Sequence, residues 1–194
     1  MSLSLSMAAF ALAASISPGP VNIVALGSGA RHGLRASLRH AAGATLGFCL
    51  LLVLTGLGLH ELLLRWPLLG QLLHWGGVAF LLYMAWKLAS DDGRLGDDRQ
   101  AKAPGAWQGA AMQWLSPKAW LAAVAGIGAY VGNEQQLLWL FTWIYGPICF
   151  VSVASWAWAG SMIRQYLGEP RRLRLFNRGL AGLLVASAGY LVLG

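Results

Sequence analysis

The sequence predicts an all-α integral membrane protein with six transmembrane helices, arranged as two inverted three-helix repeats with both termini outside. Three observations predict it. The 194 residues are 57% hydrophobic and 11% charged, where about 25% charged is usual in a soluble domain, and mean hydropathy is +0.58. Cationic residues gather on one side of the apolar runs. Finally, each half of the chain opens on an apolar stretch interrupted by proline.

The apolar runs lie at roughly 3–27, 41–59, 68–88, 108–131, 137–160 and 176–194, each near the length of about 20 residues that crosses hydrocarbon. One membrane domain results, with a first repeat over 1–88, a connector over 89–106 and a second repeat over 107–194. Three loops hold twelve cations: Arg31, Arg35 and Arg39; Lys87, Arg94, Arg99 and Lys102; Arg164, Arg171, Arg172, Arg174 and Arg178. The opposite side holds Arg65. The positive-inside rule makes the three basic loops cytoplasmic, so the net charge of +7 reads as topology and attraction for anionic lipid rather than as nucleic-acid binding.

The first run is read as a spanning helix and not as a signal peptide, because its first sixteen residues contain no Lys or Arg and a charged n-region is missing. Within it stands Ser15-Ile16-Ser17-Pro18-Gly19-Pro20-Val21-Asn22. Each proline lacks an N–H and clashes with the carbonyl four residues back, so the carbonyls of Ala14 and Ile16 lose their helical partners. Unpaired backbone at membrane depth is tolerated only against protein or a water-filled cavity. A helix restarting at Pro20 presents its positive N-terminal end and the Asn22 amide to that cavity. A simple packing kink is the other reading.

Helix 2 carries Gly43 and Gly47 four apart, a small-residue face for close helix packing, with His40 at its cytoplasmic boundary as an interfacial residue. His60, Glu61 and Arg65 make the outer turn, and Tyr83, Trp86 and Lys87 anchor the end of helix 3. The aspartates 91, 92, 97 and 98 mark a solvated connector. Cys49 and Cys149 have no metal-ligand spacing and read as small buried residues.

The second half repeats the device at Gln113-Trp114-Leu115-Ser116-Pro117-Lys118. Pro117 frees the carbonyl of Gln113 as Pro18 frees that of Ala14. Lys118 lies about 16 Å along the helix from Trp107 at 1.5 Å per residue, near the midplane, where a charge costs at least about 2.5 to 3.5 kcal/mol and marks a functional candidate. A snorkelling lysine, or one paired with freed carbonyls, is the alternative. In helix 5, Gly146-Pro147 is a potential kink and Trp139, Trp143, Trp156 and Trp158 read as belt and packing residues.

Interrupted helices at corresponding positions of two halves point to a transporter's substrate site. A small zwitterion suits it. Its carboxylate takes the helix N-terminus at Pro20, the Asn22 amide or the Lys118 ammonium. Its ammonium takes the freed carbonyls or the face of Trp114 or Trp120. The candidate substrate-binding residues are therefore Ser17, Pro18, Gly19, Pro20, Asn22, Gln113, Trp114, Ser116, Pro117 and Lys118. No cofactor or metal is implied.

Pro18-Gly19-Pro20 with Asn22, the glycines 33, 43 and 47, Leu82-Tyr83-Met84-Ala85-Trp86-Lys87, and Gly109, Gln113 and Ser116-Pro117-Lys118-Ala119 together resemble the motifs of the lysine/threonine exporter family, LysE or RhtB type. The likeness spans nearly the whole chain. It implies a multi-pass protein of the bacterial inner (cytoplasmic) membrane that exports amino acids or related small metabolites by alternating access, as a secondary transporter driven by proton exchange. The sequence departs from the family pattern at two places: Ser116 stands where Asn is common, and Phe48 follows Gly47 where many relatives carry a polar or acidic residue. No Asp or Glu lies within a predicted span, so no proton carrier is named.

The alternatives are a metal-cation exporter, which lacks a ligand cluster in the spans, and a non-transporting membrane assembly partner. An enzyme is not expected, since His32, His40, His60 and His74 fall at loops or span ends and assemble no nucleophile–base pair. The expected partners are a small-molecule substrate and the lipid bilayer. Six short helices leave a homodimer open as the unit that encloses a pathway.

Overall fold

A computed structural model describes residues 2–59, 65–90, 103–132 and 134–193. Among them are eight α-helices and no strand: α1 (Leu3–Ile16), α2 (Pro20–His32), α3 (Leu34–Leu54), α4 (Pro67–Ala89), α5 (Ala106–Trp114), α6 (Pro117–Tyr130), α7 (Gln135–Ile163) and α8 (Pro170–Leu193). His60, Glu61 and the acidic part of the connector, 91–102, lie outside the described residues.

The prolines place the helix boundaries. Residues before proline are pushed out of the helical region, and Ser17 (ψ 140°), Gly19 (ψ 172°) and Ser116 (ψ 115°) are all extended. Pro20 and Pro117 then open α2 and α6, where a missing N–H costs nothing. The first apolar run is thus two helices meeting at 62°, and the fourth run is likewise two helices, α5 and α6. Gly33 separates α2 from α3 by a single residue at φ 81°, a conformation that only glycine adopts without strain. By contrast, α7 runs unbroken through Pro147.

Two continuous helical stretches, Leu34–Leu59 and Gln135–Leu167, are long and apolar enough to cross a membrane, and the bent pair α1–α2 makes a third. Large apolar side chains cover the outside of these elements: Leu46 on α3 is 70% exposed and Trp143 on α7 is 77% exposed. That outward face suits lipid and not water.

Helix packing rests on backbone-to-backbone approach. At Gly43 an added Cβ would run into the backbone of Ala106, and at Gly109 into the carbonyl of His40, so α3 and α5 touch through both glycines. The crossing of α2 and α7 is built the same way: Gly29 lies on the Ala157 carbonyl and Gly160 on the Leu26 carbonyl. The small-residue face expected at Gly43 and Gly47 is therefore a contact surface, with Gly47 against Ala110. α4 packs mainly with α8, and α3 lies along α7.

The core has an aromatic layer. Phe48 stacks on Tyr145 at 4.3 Å between ring centroids, Phe141 meets Tyr145 edge-on at 5.6 Å, and Phe10 meets Tyr130 at 5.6 Å. These rings join α1, α3, α6 and α7. His40 is fully buried against protein, and its Nε2 faces the Val21 carbonyl at 3.3 Å, tying α3 to α2.

Candidate functional site

The two helix breaks meet. The Lys118 Nζ donates to the carbonyl of Ser17 at 2.6 Å, joining positions 101 residues apart. The lysine stem lies over Gly19, where an added Cβ would stand 3.2 Å from Cδ and 3.3 Å from Nζ. Glycine favours this close approach through its lack of a side chain and not through its backbone, since its φ of −164° is ordinary extended geometry. Two positive helix ends, α2 at Pro20 and α6 at Pro117, converge with the Lys118 ammonium at this point.

The carbonyls of Ala14, Ser15, Ile16 and Ser17 each have a protein donor. The Ser17 Oγ donates to Ala14 O (3.2 Å), and the Asn22 Nδ2 donates to Ser15 O (3.0 Å) and Ser17 O (2.8 Å). The Trp156 indole N–H donates to Ile16 O (3.0 Å). In the second break, Gln113 O accepts from Ser116 N (3.2 Å). The Asn22 side chain, 3% exposed, thus caps the end of α1 with its amide N–H groups. We expect Asn22→Ala to leave the buried Ser15 O without its donor, while Ser17 O keeps Lys118, at a cost of about 1 to 3 kcal/mol; a fall in the midpoint of thermal unfolding in detergent measures it, and an unchanged midpoint contradicts the capping role.

A small cavity of about 40 Å³ lies against Lys118, walled by Ser15, Asn22, Gln113, Phe48, Tyr145 and Cys149 among others. That is room for a few waters at most. A second cavity of about 640 Å³, largely apolar, shares Gly19, Pro20, Ser116 and Lys118 with it and continues between α2, α4 and α8. The polar floor at the breaks opens onto space large enough for an amino-acid side chain.

Of the ten candidate residues, Pro18, Gly19, Pro20, Asn22, Gln113, Ser116, Pro117 and Lys118 line these two cavities, and Ser17 supplies the carbonyl that holds Lys118. Trp114 does not line them. Its indole N–H donates to Gly47 O at 3.0 Å and its ring meets Trp120 edge-on, so it braces α5 against α3. Sequence reasoning missed Ser15, Tyr145, Cys149 and Trp156. Ser15 has a buried hydroxyl with no hydrogen-bond partner, and the others come from α7, whose register against the break has no signature in the chain. Phe48, noted as a departure from the family pattern, is 2% exposed and caps the small cavity with an apolar ring.

The convergence of Lys118 with two helix N-termini makes this point electropositive, and among the described residues no carboxylate lines it. Among the described residues, no group of three or more His, Cys, Asp or Glu could hold a metal ion. The family model of the LysE type translocator matches residues 12–194. The chain belongs to this translocator family. It is a membrane transporter rather than an enzyme. The cysteine/O-acetylserine efflux proteins of Escherichia coli K12 and Shigella flexneri are similar to it, each 31% identical over 185 residues covering 92% of both chains. No solved structure matches.

Proposed function

We propose that this translocator exports small amino acids of the cysteine and O-acetylserine class across the bacterial inner membrane, by alternating exposure of the site at Lys118. The observation that carries the reading is the Lys118 Nζ on the Ser17 carbonyl, where two interrupted helices meet. The substrate carboxylate takes the Lys118 ammonium and the free N–H groups of the first turn of α2. Its ammonium takes the second lone pair of the break carbonyls and the Ser15 hydroxyl. Its side chain enters the apolar cavity.

The same reading has six spans in two inverted repeats, over 1–88 and 107–194, with both termini outside. Support comes from the packing pattern. Exchanging the halves turns the contact of α3 with α5 into that of α7 with α1, while the α3–α7 and α4–α8 contacts map onto themselves; the extensive α2–α7 contact departs from this pattern, since its counterpart, α6 with α3, is slight. A pseudo-two-fold relation between the halves accounts for the matching pairs, and the odd number of spans per half makes it an inverted one in this reading. The excess of cations at one end supports cytoplasmic basic loops. A metal-cation substrate is disfavoured by electrostatics, because an ammonium and two positive helix ends repel it.

Efflux of labelled cysteine and O-acetylserine, within a mixture of labelled amino acids, from expressing cells tests the function. We expect expressing cells to lose one or both labels several times faster than controls. Loss of none of the amino acids from cells with the protein correctly inserted overturns the assignment.

A further inference from the structure

We propose that Leu180 of α8, closing on Gly27 of α2, is the cytoplasmic gate of the transporter, an apolar layer between the Lys118 site and a vestibule at the basic end. This placement rests on the orientation in the reading above, with the basic loops cytoplasmic, and adds to it the element that opens.

Three helices, α2, α4 and α8, line two cavities in succession. Toward the helix breaks, Ile23 of α2, Leu81 of α4 and Leu180 of α8 wall the cavity of about 640 Å³ that Lys118 also lines. Toward the basic end, Ser28 of α2, Met84 of α4 and Asn177 of α8 wall another of about 560 Å³. Among the described residues, no lining residue is common to the two. On each helix the lining passes from one cavity to the other within about one turn. The two cavities are therefore one crevice between α2 and the α4–α8 pair, pinched at a single layer.

Apolar side chains fill the pinch. A Cβ added at Gly27 would stand 3.0 Å from Leu180 Cδ1 and 3.5 Å from Leu88 Cδ2, so the two leucines meet over the glycine from α8 and α4. Leu81, Met84 and Leu180 are all buried. An apolar constriction of this kind blocks charged solutes by staying dry. Its opening is a matter of packing. α8 packs extensively on α4 and only slightly on α2, so the α4–α8 pair swings from α2 as a unit without breaking its own contacts, the rigid-body motion of alternating access.

Thiol accessibility tests the gate without any amino-acid substrate. In a Cys49→Ala, Cys149→Ala background, which removes both native cysteines, Ser116→Cys places a thiol in the wall of the Lys118 cavity. Inside-out membrane vesicles then present the cytoplasmic face to an anionic, membrane-impermeant methanethiosulfonate. We expect Leu180→Ala to raise the labelling rate at least about tenfold, since truncating a buried leucine opens space. Leu180→Met, which conserves volume, keeps the rate within about twofold. Leu184→Ala is the control, because Leu184 is fully buried on the same helix and lines neither cavity; no acceleration is expected from it. Equal rates with and without Leu180→Ala, in protein that inserts and elutes as a single species, overturn the gate. Acceleration to the same degree by Leu184→Ala overturns the placement at Leu180, since general loosening then accounts for it. Acceleration in right-side-out vesicles alone overturns the orientation in the reading above, and the cytoplasmic placement of the gate with it. The identity of the exported substrate is decided separately, by the labelled-mixture efflux.

Discussion

Lys118→Ala lowers the maximal export rate at least about tenfold while the protein still folds and inserts. The ammonium supplies the one charge at the meeting of the breaks, and a charged hydrogen bond to a desolvated carboxylate is worth about 1.5 to 3 kcal/mol, or about one to two powers of ten. Its other contact, to Ser17 O, is backed by the Asn22 amide on the same oxygen, so the carbonyl is not stranded when the lysine is removed. Rate and affinity from transport assays, with surface-exposed protein quantified alongside, check the expectation. A variant that keeps the wild-type rate removes Lys118 from the site. Gly19→Ala is the companion: its methyl group meets the lysine stem at 3.2 Å, which shifts the flexible side chain slightly without removing the charge, and a loss of rate smaller than that of Lys118→Ala is expected.

Gly43→Val and Gly160→Val destabilise the folded protein by about 2 to 4 kcal/mol each, the upper range for overpacking. The atoms in the way are backbone, the Ala106 peptide at Gly43 and the Leu26 carbonyl at Gly160, and they cannot rotate aside. Separation of α3 from α5 also tilts the Gln113–Lys118 break, and separation of α2 from α7 breaks the Trp156 contact to Ile16 O. Gly179→Val is the control, since a Cβ there meets nothing within 4 Å. Thermal unfolding in detergent separates the three: a drop at positions 43 and 160 with little change at 179 is expected, and equal midpoints for all three remove the backbone-contact account.

The helix breaks were legible in the chain because proline acts on its own neighbours. A missing N–H at Pro18 and Pro117 strands named carbonyls whatever the rest of the protein does, and the observed boundaries at Ile16, Pro20, Trp114 and Pro117 follow. The lysine was legible for a similar reason, since a cation in an apolar run needs a partner. Trp114 was misplaced because its chemistry suits either an ammonium or a packing contact, and only the Gly47 carbonyl 67 residues away decides which. His40 was placed at an interface by its position at the end of an apolar run; that α3 begins earlier, at Leu34, and buries the ring against the Val21 carbonyl of α2 is a matter of packing.

The membrane class, the paired breaks and the residues with unsatisfied chemistry can all be read along the chain, because each follows from composition or from a constraint acting within a few residues. How that chemistry is satisfied depends on the packing of distant helices. The donors to Ser17 O and Ile16 O arrive from 101 and 140 residues away, and Phe48 and Tyr145 close the small cavity through the packing of α3 on α7. The physical reason is range: a backbone break states locally that partners are needed, while which partners come is settled by how closely glycine lets the helices approach.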